Sequence, residues 1–277
     1  MNGTYTSDGS QLGFRDSGSG VPVVFLHPTP LDRDYWRPLT DNLGGIRAIV
    51  PDLRGHGVSE LGDALPVGGF VRVPDAPVLN MAQLGVDVLT LLDHLEVSEA
   101  VFVGCSIGGN VLLEIWRQAH QRMRGLAFIC AKPQPDAEAN AAGRAATIAK
   151  IRSGGTGPVF DGMLQTLTSA TARQRRPEIV DELRARMTLS AEGAVAVQAG
   201  LATRPNSVPT VSTICVPVLA IAGGEDPGVT PADMKAFNAA PGGCEFHLLP
   251  DAGHFAAYEQ PQKVASLMAE WLREQEP

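Results

Sequence analysis

Short, unbroken runs of apolar residues recur along the chain at 23–26, 48–50, 101–103, 126–130, 216–222 and 246–249, each rich in Val, Ile, Leu or Phe. Glycine- or proline-rich stretches punctuate them. Runs of this length without polar alternation read as strands covered on both faces, as in a parallel sheet between two helical layers. The intervening segments switch to helical spacing. Leu84, Val88, Leu91, Leu92 and Leu95 form one stripe on a helix over 81–95. Val264, Leu267, Met268 and Trp271 form another, on a C-terminal helix opening near Pro261, where proline suits a first turn. Residues 107–117 are apolar nearly all round, which predicts a helix buried against the sheet. This alternation predicts the α/β class, with a doubly wound, mostly parallel sheet.

From 132 to 213 the alternation stops. No strand-like run occurs there, only short helical pieces rich in Ala, Arg and Glu, broken at Gly154-Gly155 and Gly157-Pro158. Ile179, Leu183 and Met187 make one piece amphipathic. The expected organisation is a discontinuous core, 1–131 and 214–277, with a helical cap subdomain at 132–213. The Gly-, Pro- and Val-rich stretch 61–79 is expected to be an unusually long loop, a kind often tied to function.

Composition narrows the function. With 277 residues and 44% apolar content, the chain can bury a large core. It carries 22 Lys and Arg against 30 Asp and Glu, a net charge of −8, so a phosphate backbone would be repelled and no nucleic-acid partner is expected. The one basic cluster is Arg173, Arg175 and Arg176. Cys105, Cys130, Cys215 and Cys244 form no C-x-x-C pair. The first three lie in or beside apolar runs and are expected as small core residues, which favours a reducing compartment. The first ten residues have neither a basic start nor an apolar stretch, and no apolar run approaches eighteen residues. Neither a signal peptide nor a membrane span is expected, and the location expected is cytoplasmic.

The chemistry begins at Gly104-Cys105-Ser106-Ile107-Gly108-Gly109, between a predicted strand and the buried helix. A G-x-S-x-G here puts Ser106 on a sharp, strained turn that lifts its Oγ above the sheet, and the glycines remove Cβ atoms that would collide across it. The N–H of Ile107, at the helix N-terminus, is placed to stabilise an oxyanion. A serine hydroxyl needs a base and an orienting carboxylate. His94 and His120 are on or just past helices, and His247 lies inside the last apolar run as an expected core histidine. His254, in Asp251-Ala252-Gly253-His254-Phe255, leaves the C-terminal end of the last strand, where open α/β sheets build sites. Gly223-Gly224-Glu225-Asp226-Pro227 follows the preceding strand at the same edge. Asp226 is preferred as the acid because Pro227 bars a helix there, and Glu225 is the alternative. In His27-Pro28-Thr29-Pro30-Leu31 the prolines donate no N–H, so only Thr29 between His27 and Leu31 offers a backbone donor.

These motifs, with Asp52-Leu53-Arg54-Gly55-His56-Gly57-Val58-Ser59, resemble the cap-bearing, single-domain α/β-hydrolases. That group includes small carboxylesterases, 3-oxoadipate enol-lactonases, cofactor-free haloperoxidases and carbon–carbon bond hydrolases. The resemblance implies the α/β-hydrolase fold, a triad in the chain order Ser106, Asp226, His254, and an oxyanion hole of Thr29 and Ile107. It implies that His27 braces the oxyanion loop and that Arg54 and His56 are structural. Pro28 stands where such families carry glycine. Haloalkane dehalogenases and epoxide hydrolases place aspartate where this chain has Ser106, and no metal cluster or nucleotide loop is spelled.

The expected reaction is hydrolysis of small carboxylic esters through an acyl-enzyme on Ser106, without a cofactor or metal. His27, Phe160, Met163, Leu164 and Phe255 are candidate pocket residues. Lys132 and Arg144 would suit a carboxylate-bearing lactone instead, which makes an enol-lactonase-like hydrolase the second reading. A binding protein without turnover is a third, from another class. Nothing in the sequence singles out perhydrolase or haloperoxidase activity.

Overall fold

A computed structural model describes residues 1–62 and 77–274, so most of the loop expected at 61–79 lies outside the described residues. Eight strands form one sheet: β1 (Asn2–Ser7), β2 (Ser10–Gly18), β3 (Val21–Leu26), β4 (Ile46–Pro51), β5 (Ala100–Cys105), β6 (Met123–Ile129), β7 (Val218–Gly223) and β8 (Cys244–Leu249). Their order is β1-β2-β4-β3-β5-β6-β7-β8. The pairings from β4 to β8 are parallel, and β2 joins β1 and β4 antiparallel. This is the α/β-hydrolase fold, with its mostly parallel sheet flanked by helices.

The six predicted runs are β3 to β8. In β5 and β7 every residue is buried, as unbroken apolarity requires of strands covered on both faces. The last run differs. β8 is an edge strand, mostly half-buried, with Leu248 48% exposed. His247 is therefore no core histidine; its Nε2 lies 2.5 Å from Glu245 Oε1 on the half-buried edge. β1 and β2 carry no apolar run, and only one face of β1 is covered: Tyr5 and Ser7 are buried while Thr4 and Thr6 are exposed. A signal was present in Asp8-Gly9, whose φ values of 48° and 75° make the two-residue hairpin turn between paired Ser7 and Ser10.

The first helices are α1 (Arg37–Thr40), α2 (Met81–His94) and α3 (Ile107–Ala119). Leu84, Val88, Leu91 and Leu92 of α2 are buried, while α3 is buried nearly all round, including Glu114, which pairs with Arg117 at 2.6 Å. Arg54 binds Asp87 of α2 through Nε and Nη2 at 2.8 and 2.7 Å, and the same pair engages Ser7 and Ser10 of the hairpin. Arg54 thus ties the N-terminal strands to the helical layer.

Between β6 and β7 come α4 (Glu138–Gly154), α5 (Gly157–Leu167), α6 (Ala170–Arg175), α7 (Ile179–Ala185), α8 (Ala191–Ala202) and α9 (Val208–Val211). Ile179, Leu183 and Met187 are buried together with Phe160 and Leu164. α10 (Pro231–Met234) follows β7, and α11 (Ala256–Glu259) and α12 (Pro261–Arg273) follow β8. Val264, Met268 and Trp271 of α12 face the core. Cys105 and Cys130 are buried thiols, but Cys215 is exposed, because β7 begins only at Val218 and the apolar run overshoots the strand. Among the described residues no helix is long and apolar enough to cross a membrane.

Candidate active site

Ser106 sits between β5 and α3 with φ 54° and ψ −117°, a left-handed conformation that non-glycine residues adopt only under constraint. The constraint is close packing. A Cβ on Gly104 would stand 2.5 Å from the carbonyl carbon of Gly108, and one on Gly108 would stand 2.2 Å from the Leu26 carbonyl oxygen of β3. The two glycines let strand, turn and helix approach, and the turn presents Ser106 half-buried on a cavity wall. Its N–H donates to Ile129 of β6 at 3.2 Å. The following N–H groups, starting with Ile107, belong to the first turn of α3, where a helix leaves its donors without helical acceptors.

Two loops at the C-terminal edge of the sheet bring the candidate acid and base together. Asp226, after β7, is buried, and its Oδ2 lies 2.7 Å from His254 Nδ1. Its Oδ1 accepts the N–H groups of Gly228 and Val229 at 2.8 and 3.1 Å, which fixes the carboxylate plane. Glu225 points elsewhere: it accepts from Thr171 Nα at 3.2 Å and from the Thr171 hydroxyl. That hydroxyl bond, ahead of a small burial effect, holds the Glu225 carboxyl below its usual range. Of the two adjacent acids, Asp226 meets the imidazole.

With Nδ1 engaged, Nε2 is the His254 nitrogen left for proton exchange. Ser106 and His254 line the same cavity of about 1200 Å³. The Ser106 hydroxyl makes no hydrogen bond to the imidazole among the described residues.

Thr29 lines this cavity too. Its hydroxyl donates to His56 Nε2 at 3.0 Å, while His56 Nδ1 donates to the Arg54 carbonyl at 3.1 Å. Next to it, His27 Nδ1 donates to the Pro28 carbonyl at 3.1 Å and its Nε2 accepts the Leu53 N–H at 3.0 Å. Burial pushes His27 down to about 4 and His56 down to about 3, so both rings are neutral at pH 7, as these single-tautomer bonds require.

The pocket expectations need correction. Of the five residues proposed, Met163 lines the cavity; His27, Phe160, Leu164 and Phe255 do not. All four are at most 2% exposed: His27 is spent on its loop, Phe160 and Leu164 on packing among the helices, and Phe255 against Tyr35. The cavity side of α5 is instead Val159, Met163 and Leu167. An apolar residue in a helical insertion looks alike whether it faces a cavity or a neighbouring helix, so sequence spacing could not separate them.

The cavity lining also includes Lys132, Arg144 and Arg204 with Asp136. Arg204 pairs with Asp136 at 2.8 Å, and Arg144 binds Asp136 and Gln198 Oε1, the latter at 3.0 Å. Burial works to raise the Asp136 carboxyl, but Arg144 and Arg204 outweigh it and hold it below the ordinary range. The cluster Arg173, Arg175 and Arg176 is absorbed locally: Arg173 donates to the Thr168 carbonyl, Arg175 pairs with Asp251 and Arg176 with Glu182. No group of three or more His, Cys, Asp or Glu placed to hold a metal occurs among the described residues.

Comparison with known proteins agrees with this architecture. The chain is 32% identical over 222 residues to 3-oxoadipate enol-lactonase 2 of Acinetobacter baylyi, covering 77% of this chain and 74% of that one. Among solved structures it is similar to a thermophilic esterase from Thermogutta terrifontis, at TM-score 0.87 and 30% identity over 99% of this chain and 97% of the other. The enol-lactonase from Burkholderia xenovorans LB400 shares the fold, at TM-score 0.85 and 23% identity over 98% of this chain and all of that one (100%). Residues 23–267 match the alpha/beta hydrolase family, and the chain belongs to that family.

Proposed function

We propose that the protein is a serine hydrolase that cleaves carboxylic esters of small substrates through an acyl-enzyme on Ser106. The observation that carries this reading is the Asp226–His254 hydrogen bond at 2.7 Å, opening onto the cavity that the strained Ser106 also lines. His254 Nε2 takes the Ser106 proton as Oγ attacks the ester carbonyl, then passes it to the leaving alkoxide. Hydrogen bonds of this kind tighten once substrate occupies the site. Asp226 holds the imidazole in the Nδ1–H tautomer and stabilises its charge. The N–H groups of Thr29 and Ile107 hold the tetrahedral oxyanion, and water, deprotonated by His254, releases the acid. The helices of 132–213 act as the cap over this cavity. Purified protein should hydrolyse a short p-nitrophenyl ester, and Ser106→Ala should abolish the turnover with the fold intact; equal turnover in the variant refutes the assignment.

A second reading is favoured by the basic wall of the cavity. Lys132, Arg144 and Arg204 outnumber Asp136 and Asp233, the acids they pair with, and the remaining positive charge would attract a carboxylate on the substrate, which suits a carboxylated lactone of the kind the enol-lactonase relatives are named for. Comparing a neutral butyrate ester with a carboxylated lactone separates the two. A binder without turnover would leave Ser106 unreactive towards a fluorophosphonate probe.

A further inference from the structure

Glu259 is a buried carboxylate whose two oxygens accept backbone N–H groups from the base loop just before it and from a segment 90 residues away. Oε2 accepts from Gly253 at 2.9 Å and Oε1 from Ser169 at 3.3 Å. Gly253 directly precedes His254, while Ser169 lies in the stretch joining α5 to α6. Desolvation by burial raises the Glu259 carboxyl above its ordinary range, and the Ser169 hydroxyl with the Gly253 and Ser169 N–H groups works against that. Burying a carboxylate is costly, and an amide of the same shape could accept only one of the two bonds.

Residues on both sides of Ser169 and Ser169 itself grip the acid and base loops at other points. The Leu167 carbonyl accepts the His254 N–H at 2.8 Å, Ser169 Oγ donates to the Asp251 carbonyl at 3.3 Å, and Thr171 donates to Glu225, next to Asp226. The backbones touch: a Cβ on Gly253 would stand 2.5 Å from the Leu167 oxygen and 2.6 Å from the Ser169 nitrogen. Leu167 is also a cavity-lining residue.

We propose that Glu259 is a positioning residue for His254, joining the base loop to the Leu167–Ser169 backbone so that the cavity wall and the imidazole move as one unit. The proposal rests on the serine-hydrolase reading. A displaced imidazole loses proton-transfer geometry while the walls that bind substrate stay in place, so the effect falls on kcat rather than KM.

The test compares wild type, Glu259→Gln and Glu259→Asp for p-nitrophenyl acetate hydrolysis, fluorophosphonate labelling rate and melting temperature. Glu259→Gln keeps one acceptor, and Glu259→Asp keeps the charge on a shorter arm that cannot span both donors. Both should lower kcat and labelling rate by about tenfold with KM within about twofold, since small misplacements cost one to two orders of magnitude. Wild-type kcat in either folded variant, or a fall expressed in KM alone, overturns the proposal. Hydrogen exchange on the wild type provides a check independent of folding: the Gly253 and Ser169 amides should be protected together, and free exchange at either overturns it. If wild type itself neither labels nor turns over, the hydrolase reading fails and takes this proposal with it; wild-type labelling beside undiminished Glu259→Gln labelling removes Glu259 alone.

Discussion

The Thr29 hydroxyl donates to Nε2 of His56 across 3.0 Å, linking the loop after β3 to the loop after β4. His56 is fully buried and neutral, anchored in turn on the Arg54 carbonyl. A stiff support of this kind suits a backbone N–H that must already point at a charge before the charge forms.

Thr29→Val retains the N–H of residue 29 but leaves His56 Nε2 without its donor. The expected outcome is a roughly tenfold loss of kcat, smaller than the 10²–10³ for deleting an oxyanion donor outright, with KM little changed. Steady-state kinetics on a p-nitrophenyl ester would check it; unchanged kcat would detach His56 from the oxyanion role proposed for the Thr29 loop.

Two adjacent acids offer an internal control. Asp226→Asn should cost about 10⁴ in kcat by disfavouring the working tautomer, while Glu225→Gln, which faces Thr171, should cost less than about tenfold. The reverse order in the same assay would reassign the acid.

Buried neutral histidines set an acid limit. In His27 and His56 burial lowers the folded value to about 4 and about 3 from 6.5, so the unfolded chain binds more protons between those values and stability falls as pH drops below 6.5. Above it their contribution is constant. Melting temperature should decline progressively from pH 6.5 towards 4, and His27→Gln, which can keep both bonds without titrating, should flatten that decline. An identical slope in the variant would locate the acid sensitivity elsewhere.

The Arg54–Asp87 pair is 4% exposed on each side chain. Asp87→Ala should destabilise the protein by about 3–5 kcal/mol, since it strands a buried guanidinium, measured as a lower urea midpoint. A change below about 1 kcal/mol would show that water reaches Arg54 there.

The central strands were legible because burial on both faces forces unbroken apolar runs, and the Ser106 turn because its geometry admits little besides glycine at 104 and 108. One-sided edges were harder: polar β1 passed unseen although Asp8-Gly9 announced its turn, and β8 looked more buried than it is. Pro227 favoured Asp226 over Glu225, and it is Asp226 that is hydrogen-bonded to His254. The cavity wall was the least legible part. Phe160 and Met163 are three residues apart on one helix, yet Phe160 packs inward and Met163 lines the cavity, a difference set by neighbours far away in the chain. The role of Glu259 was harder to read, because only Gly253 of its two donors is near in the chain while Ser169 lies 90 residues away.

The crossing of Leu167 and Ser169 over Gly253 limits how this protein could be re-engineered. The helices between β6 and β7 leave and rejoin the sheet at adjacent strands, which invites exchange of the whole insertion to obtain a new substrate range. A transplanted insertion that fits the cavity but omits this crossing would remove a strut from beneath the imidazole, so chimeras should keep 167–171 native and vary the sequence on either side.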